Sequence, residues 1–130
     1  MPIQVIWDDE SKTAIRQIYS GKLTLQDYVT ATDAVEHMAK EVSYTVHSLM
    51  DRTHVISAPG VVLPAMRYAN NHVPPNLGIR VIIKGDTFTR VIVDIGRRVA
   101  PRLVHDIYFV ETLEAGRAII AKHTAKARTG

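Results

Sequence analysis

The sequence has no cysteine among its 130 residues, which excludes disulfides, thiolate nucleophiles, iron–sulfur clusters and cysteine-ligated zinc sites. It also lacks the run of about 20 apolar residues that a membrane span needs, and its start, MPIQVIWDDE, lacks the basic and apolar segments of a signal peptide. Aromatic residues make up only 6% and do not interleave with basic ones, which disfavours nucleic-acid binding. These absences predict a cytoplasmic protein.

The composition is that of an ordinary globular domain, with 46% hydrophobic and 22% charged residues. The length predicts a single domain over residues 1–124, followed by a frayed tail at 125–130. Residues 1–65 carry 5 Lys/Arg against 8 Asp/Glu, and residues 66–130 carry 11 against 5. Because the basic residues of the second half alternate with acidic ones, we expect a surface of mixed charge.

The spacing of apolar residues predicts five strands and four helices in the order ββαβαβαβα. The predicted strands are Ile3 to Trp7, Thr13 to Tyr19, Tyr44 to Met50, Ile79 to Ile83 and Val104 to Val110. The predicted helices run from Thr24 to about Val42, Leu63 to Asn71, Asp86 to Pro101 and Thr112 to about Lys122. This order indicates an α/β fold with a mixed sheet, in which an opening antiparallel hairpin joins parallel strands.

Pro64 bears on where the second helix begins. It suits the first turn of a helix that starts near Leu63, because its missing N–H would be unpaired there anyway. A helix that started at Ser57 would instead enclose Pro64 and be kinked by it.

The third helix is predicted to bury a stripe made of Phe88, Val91, Ile92, Ile95 and Val99. Its outer face then carries Arg90, Asp94, Arg97 and Arg98 around Val93. This face is a second possible interface with a protein partner, with Val93 as a small apolar centre. The alternative is a solvated face on which Asp94 pairs with its arginine neighbours.

The segment that follows the third strand is the main candidate site. Loops at the carboxyl ends of parallel strands are where α/β proteins usually meet ligands. The predicted partner or ligand surface consists of Asp51, Arg52, His54, Ser57, Gly60, Arg67 and Tyr68.

Catalytic and metal sites are only weakly indicated. Asp51, His54 and Ser57 have the residue types of a hydrolytic triad, but residues three apart in one loop rarely adopt the facing geometry that a triad needs. His47 and His105 are predicted to lie in strands, where they could share one face. None of the six histidines has the short spacing of metal ligands. The sequence therefore predicts a protein that is not an enzyme, with no metal and no cofactor.

The order of elements, the strand that ends at Asp51, and the closing segment Ile107 to Ala115 resemble a STAS-like domain. This is the fold of bacterial anti-sigma-factor antagonists, whose relatives include lipid-carrying CRAL-TRIO domains. The resemblance implies a switch serine at the start of the helix after the third strand. Here Ala58 or Pro59 occupies that position, and only a shift of one residue would make Ser57 the phospho-acceptor.

Three functional hypotheses follow. The first is a non-catalytic regulatory or protein-interaction module, binding a protein partner or a second copy of itself and lacking the usual phosphoserine switch. The second is a carrier of a small apolar or lipid-like ligand, which requires a pocket of about 300 Å³ or more. The third is a small hydrolase that uses Asp51, His54 and Ser57.

Overall fold

The computed structural model describes residues 2–56 and 59–129. In chain order the elements are β1 (Ile3–Trp7), β2 (Ala14–Lys22), α1 (Leu25–Lys40), β3 (Val46–Ile56), α2 (Pro59–Asn70), β4 (Leu77–Ile83), α3 (Thr87–Val99), β5 (Ile107–Val110) and α4 (Leu113–Thr129). The predicted order ββαβαβαβα and the α/β fold class are confirmed.

The five strands form one mixed sheet in the order β1-β2-β3-β4-β5. β1 pairs antiparallel with β2, with Ile3 opposite Tyr19, and β2, β3, β4 and β5 pair in parallel. The opening hairpin is therefore the antiparallel edge that the sequence predicts. Each parallel connection contains one helix, as expected for crossovers between parallel strands.

Side-chain alternation along the strands separates two packed layers. On one face, Leu49, Val81 and Ile83 form a buried cluster with Ile120 of α4. On the other face, Met50 and Ile82 pack with residues of α2 and α3, and Tyr19 packs with α1. The sheet thus lies between α4 and the three other helices, and the second of these layers contains the candidate site.

Strand β3 is longer than predicted. It continues through Asp51 to Ile56, where the sequence predicted a loop, and its last residues pair with Ser20–Lys22 of β2. The predicted end of the second strand at Tyr19 is therefore also wrong, since β2 continues to Lys22. The physical reason is local, because Thr53, Val55 and Ile56 are β-branched residues that favour extended backbone.

Helix α2 begins earlier than Leu63 and encloses Pro64, in agreement with the second alternative on that point. The first residue of the helix that the structure describes is Pro59, and Ser57 lies outside the described residues. The helix tolerates Pro64 at the loss of one intrahelical hydrogen bond.

Helix α3 has the predicted limits, and Asp86 caps it by accepting a 2.8 Å hydrogen bond from the Thr89 N–H. Its buried face was predicted correctly for Phe88 and Ile92 and wrongly for the rest of the stripe. Ile92, Val93 and Gly96 face the core, whereas Val91, Ile95 and Val99 are exposed. Gly96 explains the rotation, since an added Cβ there would lie 2.3 Å from Met66 Cε and 2.5 Å from Val104 Cγ2.

The last two elements also differ from prediction. β5 begins at Ile107, because Val104 continues the turn after α3 and its N–H bonds to the Ala100 carbonyl at 2.9 Å. α4 runs to Thr129 and does not end near Lys122, since no proline or glycine lies between Lys122 and Gly130. Among the described residues, no helix combines the length and apolar character needed to cross a membrane.

Candidate functional site

The main cavity lies between the sheet and helices α1, α2 and α3, and its volume is about 170 Å³. Its walls are mostly apolar, with Ala31 and Val35 from α1, Met66 from α2 and Ile92 from α3. Its floor is the sheet itself. Such a space between a sheet and its covering helices can enclose a small molecule away from water.

Three buried polar residues from neighbouring strands lie on the cavity floor: Gln17 of β2, Ser48 of β3 and Arg80 of β4. Gln17 Nε2 donates to Ser48 Oγ at 2.9 Å and to the Ile15 carbonyl at 3.1 Å. The Tyr19 hydroxyl donates to Gln17 Oε1 at 3.3 Å, and burial raises the pKa of Tyr19. These bonds join Tyr19, Gln17 and Ser48 into one polar chain on an otherwise apolar surface.

Arg80 is the charged member of the floor and is only 5% exposed. Its guanidinium donates to the Gly78 carbonyl at 2.7 Å and to the Arg102 carbonyl at 3.1 Å. Its buried Nε has no hydrogen-bond partner in the described part of the chain. Burial lowers the pKa of Arg80, and the charge of Asp106 opposes that shift. The cavity floor therefore contains a desolvated positive charge.

Of the predicted surface residues that the structure describes, Arg52 is the one beside the cavity. Two guanidinium nitrogens lie 3.3 Å from the Tyr28 hydroxyl oxygen, and the group sits 5.2 Å from the centre of the Tyr19 ring. Arg52 thus connects β3 to α1 and covers the polar chain that begins at Tyr19.

Tyr68 joins α2 to α1 and does not extend a free surface. Its hydroxyl donates to Asp33 Oδ1 at 2.6 Å, and that hydrogen bond raises the pKa of Tyr68. Its ring lies 4.1 Å from the ring of His72, whose Nδ1 is 4.0 Å from Glu36 Oε1. The carboxylates of Asp33 and Glu36 and the His72 ring place ligand atoms within 4.8 Å of one another, but these groups already pair among themselves or with Tyr68.

The other described residues of the predicted surface make local contacts or are exposed. Asp51 Oδ1 accepts from the backbone N–H of Thr53 at 3.0 Å and from its hydroxyl at 2.5 Å. His54, Gly60 and Arg67 are exposed. Ser57 lies outside the described residues, so the predicted triad and the predicted phospho-acceptor stay untested.

The histidine pair predicted from the strands is not formed as expected. His105 lies in the turn before β5, on the surface, with Nδ1 at 3.0 Å from Asp106 Oδ2. His47 is buried near the start of β3, and its Nδ1 accepts a 3.1 Å hydrogen bond from the Ile79 N–H. Each imidazole is thus committed to a different local contact.

The second predicted interface needs one correction. Val93 is only 5% exposed and packs in the core with Met66 and Ile82, so it cannot be the apolar centre of a surface. Arg97 pairs with Asp94, as the self-paired alternative predicts. Arg90 lies 4.3 Å from the centre of the Phe109 ring.

We expect the protein to lose stability as the pH falls from about 7.5 to 5.5. Burial lowers the pKa of His47, and the nearby His123 lowers it further. The unfolded chain takes up a proton at His47 near pH 6.5, while the folded chain resists it, so stability falls as the pH drops through this value. Urea unfolding at both pH values measures the loss.

The matched variant is His47→Asn, whose side-chain oxygen can still accept from the Ile79 N–H but cannot titrate. We expect it to show a smaller change in stability between the two pH values. An equal change in both proteins would mean that groups other than His47 set the pH dependence.

The fold is similar to that of two solved structures. An uncharacterised protein of the DUF3478 family with a SpoIIAA-like fold, from Shewanella loihica, matches with a TM-score of 0.64 at 15% identity over 91% of each chain. The anti-sigma factor antagonist SpoIIAA in its unphosphorylated form matches with a TM-score of 0.59 at 10% identity, over 92% of this chain and 97% of the other. No protein-family model and no curated protein matches the sequence. The chain therefore has a SpoIIAA-like fold, which agrees with the fold that its sequence predicted.

Proposed function

We propose that this chain is a non-catalytic regulatory module that binds a protein partner on the outer face of α3. The observation that carries the proposal is the α3 ridge, formed by Val91, Ile95 and Val99, which are 49%, 40% and 43% exposed. Because they are four residues apart on one helix, their side chains form one continuous row. Covering such a row of aliphatic side chains with a partner removes apolar surface from water.

The charges beside the α3 ridge indicate the kind of partner. Arg90, Arg98 and Arg102 are exposed next to it, whereas the one acidic residue of the helix, Asp94, is paired with Arg97. The border of the ridge is therefore basic. A complementary partner has an apolar centre bordered by carboxylates, which would also speed its association at low salt.

The fold supports a regulatory role. One of the two similar structures is an anti-sigma factor antagonist, and neither is described as an enzyme. The role does not depend on a phosphoserine, since Ala58 and Pro59 stand where the resemblance places the acceptor. A cytoplasmic location is part of the same proposal.

The predicted surface from Asp51 to Tyr68 is the alternative interface. We prefer the α3 ridge because Arg52 and Tyr68 bind within the molecule, to Tyr28 and Asp33. A second copy of this chain could also cover the ridge, and the experiment below distinguishes it from another protein.

A photo-crosslinking residue at position 95, expressed in the native host, tests the proposal. We expect it to capture a distinct protein that the same residue at Leu25, an exposed apolar position on α1, does not capture. The captured protein is then purified and its affinity measured. Val91→Glu combined with Ile95→Glu should weaken binding by at least about tenfold. The two glutamates put charge on the apolar centre of the ridge and repel the carboxylates of the partner.

The matched control is Leu25→Glu, which should leave the affinity unchanged. Equal binding by the double variant and the control would place the interface elsewhere. If the only crosslinked protein were a second copy of this chain, the α3 ridge would be a surface for self-association and not for another protein.

A second candidate function is favoured by the cavity, which would make the protein a carrier or sensor of a small apolar ligand. At about 170 Å³ it is smaller than the roughly 300 Å³ that drug-sized ligands occupy. It is similar to a cavity of about 150 Å³ that binds benzene in another protein. A long lipid chain is therefore too large, and the candidate ligand has a size near that of a substituted benzene.

A further inference from the structure

We infer that the cavity binds a small apolar carboxylate, whose acid group lies against the Arg80 guanidinium. The inference rests on the ligand-carrier candidate and adds the chemical class of the ligand. It starts from the isolation of Arg80, which is buried on the cavity floor and forms no ion pair within the described ranges.

A buried charge without a counter-charge is costly, because burial removes its hydration and nothing of opposite sign replaces it. Two carbonyl oxygens, of Gly78 and Arg102, satisfy part of the guanidinium but carry no net charge. The nearest compensating influence, Asp106, is exposed and engaged with His105. A bound anion would supply the missing charge.

The atoms beside Arg80 suit a carboxylate. Nε offers a donor that no described group accepts, and Ser48 stands directly opposite Arg80 in the register of β3 and β4. Because Ser48 Oγ already accepts from Gln17, its own proton is free to be donated. Arg80 and Ser48 both line the cavity from adjacent strands, and charge-assisted hydrogen bonds to a carboxylate are among the stronger ones in proteins.

The cavity walls determine the chemistry of the part of the ligand that lies beyond the acid group. Met66, Ile82, Ile92 and Val93 surround the floor with aliphatic side chains, and the volume holds about a benzene ring with a small substituent. A purely ionic species would leave these walls without a partner. The fitting ligand is therefore amphipathic, with one acid group and a short aliphatic or aromatic body.

A structural role is the alternative explanation for Arg80, since its terminal nitrogens tie β4 to the turn after α3 through the Arg102 carbonyl. That role uses the terminal nitrogens and leaves Nε without a partner. The two explanations differ in what a ligand does, because only a binding role makes affinity depend on the charge of the ligand.

Calorimetric titration of the full chain at pH 7 with benzoate, with the uncharged benzyl alcohol and with acetate tests the inference. We expect benzoate to bind at least about tenfold tighter than either of the other two, because only benzoate combines the acid with an apolar body. Arg80→Met keeps the length of the side chain and removes its charge, and should abolish the preference for benzoate over benzyl alcohol. Ser48→Ala should reduce the preference in part.

A measurement on the wild-type chain covers the case in which Arg80→Met fails to fold. The NMR signal of the Arg80 Nε–H should shift on addition of benzoate and not on addition of benzyl alcohol. Equal binding of the two ligands, or benzoate binding that leaves the Nε–H signal unmoved, would overturn the inference while the carrier candidate stands. No binding of either would remove both. The α3 proposal is independent of all these outcomes.

Discussion

Replacing Gly96 by valine should lower the free energy of unfolding by about 3 kcal/mol, measured as the shift in urea unfolding. The position has no room for a side chain, since even a Cβ would lie 2.5 Å from Val104 Cγ2 and 2.3 Å from Met66 Cε. The methionine end can move, but Val104 is short, β-branched and buried. The substitution therefore forces α3 away from α2 and from the turn that holds Val104.

Gly60→Val is the matched control, because Gly60 is also helical and no described atom lies within 4 Å of an added Cβ there. We expect that substitution to change stability by no more than about 0.5 kcal/mol. The double variant Gly96→Val with Val104→Ala should recover part of the loss, since it removes the methyl groups that clash. If Gly60→Val lowered the free energy of unfolding as much as Gly96→Val, the cause would be the presence of valine in a helix and not close packing at Gly96.

The same glycine shows why the face of α3 could not be predicted from the pattern. A period of 3.6 residues fits the predicted apolar stripe of Phe88, Val91, Ile92, Ile95 and Val99 as well as it fits the buried set of Ile92, Val93 and Gly96. Glycine adds nothing to a hydrophobic stripe, so the pattern favours the wrong set. Close packing at Gly96 selects the buried set instead. The exposed residues Val91, Ile95 and Val99 form the α3 ridge.

The sheet order and strand directions were predictable because they follow from the sequence of elements and from the handedness of crossovers. The end of β3 was not, although Thr53, Val55 and Ile56 favour a strand. Polar residues beside them, such as Arg52 and His54, are more typical of a loop. Only the pairing with Ser20–Lys22 decides the matter, and that contact is distant in the sequence.

The site left one signal in the sequence that the apolar pattern concealed. The predicted strand Ile79 to Ile83 contains Arg80 among four apolar residues. A charged residue inside a strand buried on both faces indicates a special environment. The contributions of Gln17 and Ser48 could not be found in this way, because isolated polar residues in strands usually face water, and only the sheet register brings these two together.

Leu49→Ala should lower the free energy of unfolding by about 2–5 kcal/mol, which is a large part of the 5–15 kcal/mol typical of a domain. Leu49 is fully buried at the centre of the sheet, where it packs with Val81 and Ile120 on the α4 side. The loss combines the removed apolar contact with the cavity that alanine leaves behind. Urea unfolding at a single pH measures it.

Leu25→Ala is the control, because the side chain of Leu25 is exposed, and it should change stability by no more than about 0.5 kcal/mol. The Leu49→Ala variant also tests whether stability and ligand binding are independent. Its neighbours Ser48 and Met50 point to the cavity, while Leu49 itself faces α4. Below its unfolding transition the Leu49→Ala protein should therefore keep the wild-type affinity for benzoate. A weakened affinity would show that the two faces of the sheet are coupled, and that the Arg80 site depends on packing beneath it.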